Sequence, residues 1–137
     1  MRILALDHGT VRVGVAVSDE LRIIASPLEY IAAGPFDAFL TRLQQILKEK
    51  EVGLVLVGMP RNMDGSSGPA AQKVQEFITT LKQSISVPIQ TWDERLTTVQ
   101  ANRFLIQANI KRKDRRQKVD QTAAAILLQS YLDVRGT

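Results

Sequence analysis

Apolar residues in the first quarter of the chain follow the spacing of β-strands. The segment from Arg2 to Asp7 is almost wholly apolar, which is typical of a strand buried on both faces. From Arg12 to Ser18 valines alternate with small residues, a pattern that favours a second strand. A third strand is predicted from Ile23 to Ile31, with an interruption at Pro27. The chain therefore opens with three strands in succession.

From residue 34 onward, helical and strand patterns alternate. Apolar residues recur at intervals of three and four where helices are predicted, and short apolar runs mark the strands between them. The predicted elements are a helix after Pro35, a strand from Gly53 to Gly58, a helix from Pro69, a strand from Ile85 to Trp92, a helix from Thr97 to about Gln107 and a helix from about Val119 to Leu132. This order predicts an α/β fold with a mixed five-stranded sheet flanked by helices.

Length and composition limit the possible classes of protein. The 137 residues are expected to form a single domain that spans residues 1–137. A hydrophobic content of 45% with 23% charged residues is ordinary for a globular protein. There is no cysteine, which excludes thiol nucleophiles and zinc–thiolate sites, and the single histidine argues against a histidine metal cage or a serine-type triad. No leader segment and no apolar run of about 20 residues is present, so a cytoplasmic location without membrane contact is expected.

The net charge of +4 is concentrated in one segment. The run from Lys111 to Lys118 contains six cations and one anion, a local charge of +5, so the other 129 residues sum to −1. Such a run could be a solvated surface loop. Because it directly precedes Asp120, we instead expect its cations to contact nucleic acid. These cations are Lys111, Arg112, Lys113, Arg115, Arg116 and Lys118.

Three acids lie where predicted elements begin or end. Asp7 closes the first strand, Glu94 follows the fifth strand and Asp120 opens the last helix. The carboxyl ends of the first, fourth and fifth strands are expected at one edge of the sheet, where sites in open α/β sheets form. Hard cations prefer oxygen ligands, and two such ions ~4 Å apart can activate water and stabilise the leaving oxygen of a phosphodiester. The acids therefore predict a metal site with a polyanionic substrate, in which Asp7 bridges the ions.

Each acid also has a simpler explanation. Asp7 could form a turn ahead of Gly9, and Glu94 could pair with Arg95 at the surface, a contact worth ~0–1 kcal/mol. Asp120 could stabilise its helix through the helix dipole by ~0.3–1 kcal/mol. The three acids together favour the metal site more strongly than any one of them does.

Four further features are candidates for contacts with the substrate. Arg12 could bind a phosphate near Asp7 or could be an exposed strand residue. The polar loop from Asn62 to Ser66 could lie at the same sheet edge or could cap the next helix. Trp92 is expected in the core rather than as a platform for base stacking. His8 is expected to be an exposed turn residue rather than a base that positions water.

Four blocks of sequence resemble the YqgF family of RNase H-like proteins. Members of this family are described as Holliday junction resolvases and as nucleases that mature small-subunit ribosomal RNA precursors. The blocks are Asp7 to Asp19, Gly58 to Ser66, Asp93 to Thr98, and Val119-Asp120 with Ala123-Ala124-Ala125. They occur in the family's order along the whole chain, which implies an RNase H-like fold and a nuclease activity.

The same resemblance implies that Asp7, Glu94 and Asp120 are the catalytic residues and hold Mg²⁺ or Mn²⁺. In related RNase H-like resolvases the middle acid follows the fourth strand, whereas Glu94 follows the fifth. Asp93 and Asp64 are therefore rivals for the middle ligand, with Glu94 ranked first and Asp93 second. The expected activity is that of a two-metal-ion endonuclease in 5′-end maturation of pre-16S ribosomal RNA.

Three alternative functions remain open from the sequence. A resolvase of four-way DNA junctions must cut two strands symmetrically and so needs a dimer. No exposed apolar stripe indicates such an interface, so a monomer or weak homodimer that acts on RNA is expected. A non-catalytic RNA-binding module is the second alternative. The segment from Asp7 to Thr10 also resembles the phosphate loop of actin-like ATPases and sugar kinases, but those proteins need a second lobe that this chain lacks.

Overall fold

The computed structural model describes residues 1–60, 68–94 and 122–135 of the chain. Within these ranges it contains five strands and three helices. In chain order they are β1 (Arg2–His8), β2 (Arg12–Ser18), β3 (Ala25–Ala32), α1 (Phe36–Glu49), β4 (Val52–Met59), α2 (Pro69–Ser84), β5 (Ile89–Asp93) and α3 (Ala123–Arg135). The predicted α/β class and the number of strands are confirmed.

The strands form one mixed sheet in the order β3-β2-β1-β4-β5. β2 pairs antiparallel with both β1 and β3, whereas β4 pairs parallel with β1 and with β5. The carboxyl ends of β1, β4 and β5 therefore meet at one edge of the sheet, and β2 begins at that same edge. Asp7 lies at this edge near the end of β1, and Asp93 and Glu94 lie there at the end of β5.

Side chains of the central strands alternate between two apolar clusters. On β1, Leu4 and Leu6 pack with α1 and α2 on one face, and Ile3 and Ala5 pack with α3 on the other. All four are at most 2% exposed, and burial of each larger side chain contributes ~1.5–3 kcal/mol. Continuing the alternation places Asp7 on the α3 face of the sheet and the next residue on the opposite face.

Helix α3 packs close to the sheet through small residues. Ala124 and Ala125 are each 1% exposed, and the Thr122 hydroxyl accepts a hydrogen bond from the Ala125 N–H at 3.2 Å. Thr122 is thus the N-cap, so the helix begins at Ala123 rather than at the predicted Val119. The first turn of α3 contains no acid, and the predicted dipole role for an acid in that turn does not apply.

Two predicted strand boundaries were also wrong. β3 begins at Ala25 because an Asp19 carboxylate oxygen accepts the N–H groups of Ile23 and Ile24, at 2.7 and 3.0 Å, and holds them in the preceding turn. β5 begins at Ile89 rather than Ile85, whose N–H still bonds to a carbonyl of α2. Pro27 does not interrupt β3 but lies within it, opposite Ala16 and beside a register shift.

Several predicted features lie outside the described residues. These are the helix from Thr97 to Gln107, the polar loop with Asp64, the basic run from Lys111 to Lys118, and Asp120. In the part of the chain that the structure describes, no helix is long and apolar enough to cross a membrane.

Candidate active site

A transverse row of five residues crosses the sheet where β1 ends. Asp7 on β1 pairs with Gly14 on β2, which in turn pairs with Tyr30 on β3. On the other side, Gly58 of β4 follows directly after the last parallel pair of β1 and β4, and it pairs with Trp92 of β5. Residues opposite one another in a sheet share a face, so this row lies on the α3 side. Asp7 is therefore flanked on both sides by glycine.

Gly58 leaves space for the side chain of Glu94. A methyl group placed on Gly58 would lie 2.8 Å from Glu94 Oε1, 3.2 Å from Glu94 Cγ and 3.1 Å from Leu127 Cδ2. Real Cβ atoms essentially never make so close a contact as the first of these. The Glu94 side chain thus folds back from the end of β5 across β4, towards the strand that carries Asp7.

Gly14 likewise leaves space for a neighbouring side chain, on the opposite side of Asp7. A methyl group there would lie 3.3 Å from Tyr30 Cε1, 3.6 Å from Ala124 Cβ and 3.7 Å from Asp7 Cβ. The ring of Tyr30 and the first turn of α3 therefore both close in on Gly14 beside Asp7. The two glycines allow one carboxylate and one aromatic ring to approach the same central acid.

Burial disfavours the charged forms of both acids, and neighbouring negative charges add to this effect at Glu94. Burial raises the pKa of the half-buried Asp7 carboxyl, and the neighbouring His8 partly offsets this. Burial also raises the pKa of Glu94, and the negative charges of Asp7 and Asp93 raise it further. The Glu94 side chain lies over Gly58, on the strand next to the one that carries Asp7, and a bound cation would relieve the effect of the Asp7 charge on Glu94.

Asp93 and Asp7 belong to opposite faces of the sheet. It pairs with Met59, a residue 4% exposed in the cluster that faces α1 and α2. By strand alternation Asp93 therefore belongs to the opposite face of the sheet from Asp7. Glu94, one residue later and beyond the strand, is the acid that reaches over Gly58. The ranking of Glu94 before Asp93 as the middle ligand stays a prediction, and Asp64 lies outside the described residues.

Trp92 is a packing residue, as expected. Its indole N–H donates to the Ser130 hydroxyl at 3.1 Å, and its ring meets Tyr131 edge to face at 5.2 Å. The expectation for His8 was wrong. Its ring is half-buried, 4.6 Å from the ring of Phe77 on the α2 side, and burial lowers its pKa.

A model of the RuvX family, described as "Holliday junction resolvase", matches residues 1–134. The chain belongs to the RuvX family. RuvX and YqgF are two names for this family, so the resemblance drawn from the sequence blocks is confirmed. Two relatives carry the name "Putative pre-16S rRNA nuclease". One from Halothermothrix orenii is 45% identical over 99% of this chain and 97% of its own length, and one from Geobacillus kaustophilus is 48% identical over 97% and 98%.

Two solved resolvases share the fold of this RuvX family member. Thermus thermophilus RuvC in complex with a Holliday junction superposes with a TM-score of 0.58 at 12% identity, over 99% of this chain and 96% of RuvC. Fowlpox virus resolvase, also solved with junction DNA, gives a TM-score of 0.52 at 14% identity over the full length of both chains. At such low identity the similarity shows the fold alone, and the predicted RNase H-like sheet is confirmed.

The donors at this edge of the RuvX sheet suit a hard divalent cation. No group of three or more possible ligands forms among residues 1–60, 68–94 and 122–135, and the third predicted acid, Asp120, lies outside them. Asp7 and Glu94 nonetheless supply carboxylate oxygens that are partly withdrawn from water, and the charge of Asp7 raises the pKa of Glu94. Mg²⁺ and Mn²⁺ bind such ligands, and the chain has no cysteine that would favour a softer metal. The residues present therefore fit the predicted metal.

The sequence alone did not reveal the structural roles of Gly58 and Tyr30 at this site. The available signal for Gly58 was a glycine within a strand, which often marks the close approach of another group. Tyr30 gave no comparable signal, because its position beside Asp7 depends on the register of β3. That register includes an irregularity between Val15 and Ala16.

Proposed function

We propose that this protein is a metal-dependent endonuclease that hydrolyses phosphodiester bonds in 5′-end maturation of pre-16S ribosomal RNA. The observation that supports it best is the Glu94 carboxylate folded over Gly58 towards Asp7 at the carboxyl edge of the sheet. The names of the relatives from Halothermothrix orenii and Geobacillus kaustophilus point to the RNA substrate.

Asp7, Glu94 and Asp120 are the proposed catalytic residues and metal ligands. Two divalent ions in a nuclease site supply activation of a water molecule and stabilisation of the leaving oxygen. Asp7 would hold the metal from a central strand, because its neighbours on the two adjacent strands are the glycines Gly14 and Gly58. Glu94 approaches from the β5 side, across Gly58.

The start of α3 supports the inclusion of Asp120. Thr122, the N-cap of α3, precedes Ala124, whose Cβ lies near the position of Gly14 beside Asp7. Asp120 is two residues before Thr122 in the sequence, and two residues span at most ~7 Å. The chain therefore enters α3 within reach of the proposed site.

Nucleic acid is the proposed partner, bound through Arg12 and the basic run from Lys111 to Lys118. Arg12 starts β2 at the same edge of the sheet as Asp7, and it is exposed. Phosphate contacts of this kind provide affinity that does not depend on the nucleotide sequence. This affinity falls as the salt concentration rises.

The basic run can be tested through the salt dependence of binding. Replacing Arg115 and Arg116 with alanine should weaken RNA binding and reduce the slope of log K against log salt by ~0.7–0.9 for each lost phosphate contact. The measurement is fluorescence anisotropy at several salt concentrations. Replacing Lys48 and Lys50, which lie at the far end of α1, removes the same charge and should leave the slope unchanged. An unaltered slope in the arginine variant would mean that the run is only a solvated surface.

Metal binding should stabilise the protein through Glu94. Binding of Mn²⁺ relieves repulsion between carboxylates, so we expect the melting temperature to rise by about 2–5 °C when Mn²⁺ is ~10-fold above its Kd. Glu94→Gln should abolish this rise, and Asp93→Asn should retain it, as measured by differential scanning fluorimetry. The reverse pattern would make Asp93 the middle ligand.

A second candidate function is the resolution of four-way DNA junctions. The family description and the fold shared with RuvC favour it. Cleavage of pre-16S ribosomal RNA and of four-way junctions should be compared side by side, with and without Mn²⁺. We expect Mn²⁺-dependent cleavage of the RNA; cleavage of the junction alone would replace the first proposal with the second. Binding without cleavage, unaffected by metal, would instead indicate a non-catalytic RNA-binding module.

A further inference from the structure

Tyr30 is an exposed aromatic residue at the edge of the proposed active site. Its side chain is 47% exposed although it lies on the face of the sheet that α3 covers elsewhere. The edge of its ring approaches the position of Gly14, which separates it from Asp7. Because neighbouring strands are ~4.8 Å apart, the backbone of Tyr30 lies ~10 Å from that of Asp7. This separation is on the scale of one or two nucleotides.

Arg12 lies over the ring of Tyr30. The central carbon of its guanidinium is 4.0 Å from the ring centroid, well within the distance for a cation–π contact. Arg2 and Arg42 pair with Glu20 and Glu29, whereas no carboxylate of the described residues pairs with Arg12. Arg12 is also exposed, so its charge can reach a phosphate and its guanidinium can take part in stacking with a base.

We propose that Tyr30 and Arg12 form a stacking subsite that holds one unpaired nucleotide next to the cleaved phosphodiester. This rests on the proposed nuclease function and adds to it a preference for a single-stranded segment beside the cut. Bases stack on aromatic rings and on arginine planes when they are not already stacked in a duplex. The subsite is a binding and positioning element, distinct from the acids that hold the metal.

The proposal can be tested with a fluorescent base in a protein that cannot cleave. The probe is an oligoadenylate of about 12 nucleotides with a central 2-aminopurine, whose fluorescence falls when it stacks. It is titrated against Asp7→Asn protein that carries in addition Tyr30→Leu, Tyr30→Phe or Arg12→Lys. Since Tyr30 is half exposed, none of these substitutions should prevent folding, and circular dichroism checks this.

We expect Tyr30→Leu to remove most of the quench and to weaken binding about 5- to 50-fold, whereas Tyr30→Phe retains both. Arg12→Lys should reduce the quench while keeping the salt dependence of binding, because lysine retains the charge but not the plane. Arg22→Lys, in the loop at the opposite end of β2, is the matched control and should change neither. The same probe annealed to its complement should show no dependence on Tyr30.

Two outcomes separate the failure of this proposal from failure of the nuclease function. If wild-type protein cleaves RNA and Asp7→Asn binds the probe, but Tyr30→Leu leaves quench and affinity unchanged, the stacking subsite is wrong and the nuclease stands. If wild-type protein does not cleave RNA and Asp7→Asn protein with Tyr30 and Arg12 unchanged does not bind the probe, both the nuclease function and the stacking subsite are wrong.

Discussion

Asp7→Asn should abolish cleavage while the fold and the affinity for RNA persist. The amide keeps the shape of the side chain but loses the charge that would hold two cations, at a position on a central strand that no other acid of β1 can replace. We expect a fall in turnover of at least about 10³-fold, which corresponds to ~4 kcal/mol of transition-state stabilisation. Cleavage would be measured under single-turnover conditions with saturating Mn²⁺, and affinity by anisotropy.

Asp133→Asn is the matched control for this substitution. Asp133 is exposed near the end of α3 and accepts a hydrogen bond from Gln129, which asparagine can also accept. Its turnover should equal that of wild type. If Asp7→Asn retained more than about a tenth of wild-type turnover, a loss below ~1.4 kcal/mol, Asp7 would not be a metal-bridging residue.

Gly58→Ala should disable the enzyme without replacing any proposed ligand. The added methyl group would lie 2.8 Å from Glu94 Oε1 and would push that flexible carboxylate away from Asp7. Displacement of a catalytic group by about 1 Å can cost ~10²-fold in rate, and we expect a loss of that order. The free energy of unfolding should fall by no more than ~1–3 kcal/mol, because Leu127 can shift by a few tenths of an ångström.

Gly34→Ala provides the comparison for the added methyl group. Nothing lies within 4 Å of a methyl group at Gly34, so this variant should match wild type in both turnover and melting temperature. The Mn²⁺-induced rise in melting temperature should shrink in Gly58→Ala and persist in Gly34→Ala. Wild-type turnover in a folded Gly58→Ala protein would show that the position of Glu94 does not matter.

The positions of most strands along the chain were predictable because their apolar runs are distinct. β1, β2 and β4 each coincide with such a run to within a residue or two, and the helix α1 that precedes β4 is typical of a strand that joins a sheet in parallel. That the ends of β1, β4 and β5 share an edge also followed from the sequence, and it brought Asp7 and Glu94 to one place. The strands could be predicted because their apolar residues form local patterns, and these residues are the ones buried on the two faces of the sheet.

The remaining features depend on contacts between distant parts of the chain. Whether Glu94 or Asp93 faces Asp7 is decided by the residue at which β5 ends and by the space over Gly58. The start of α3 is set by the hydroxyl of Thr122, which a helical pattern beginning at Val119 conceals. The placement of His8 against Phe77 likewise follows from the packing of α2 and not from any local signal.

Pro27 has a consequence for how the molecule behaves at high concentration. In the described part of the chain, β3 is an outer strand of the sheet, with a partner on one side only. Outer strands can template the growth of aggregates by pairing with a strand of another molecule, and proline interrupts such pairing because it has no N–H. The register shift beside Pro27 also disturbs the regularity that such pairing requires. We therefore expect Pro27 to hinder the pairing of β3 with a strand of another copy of this protein.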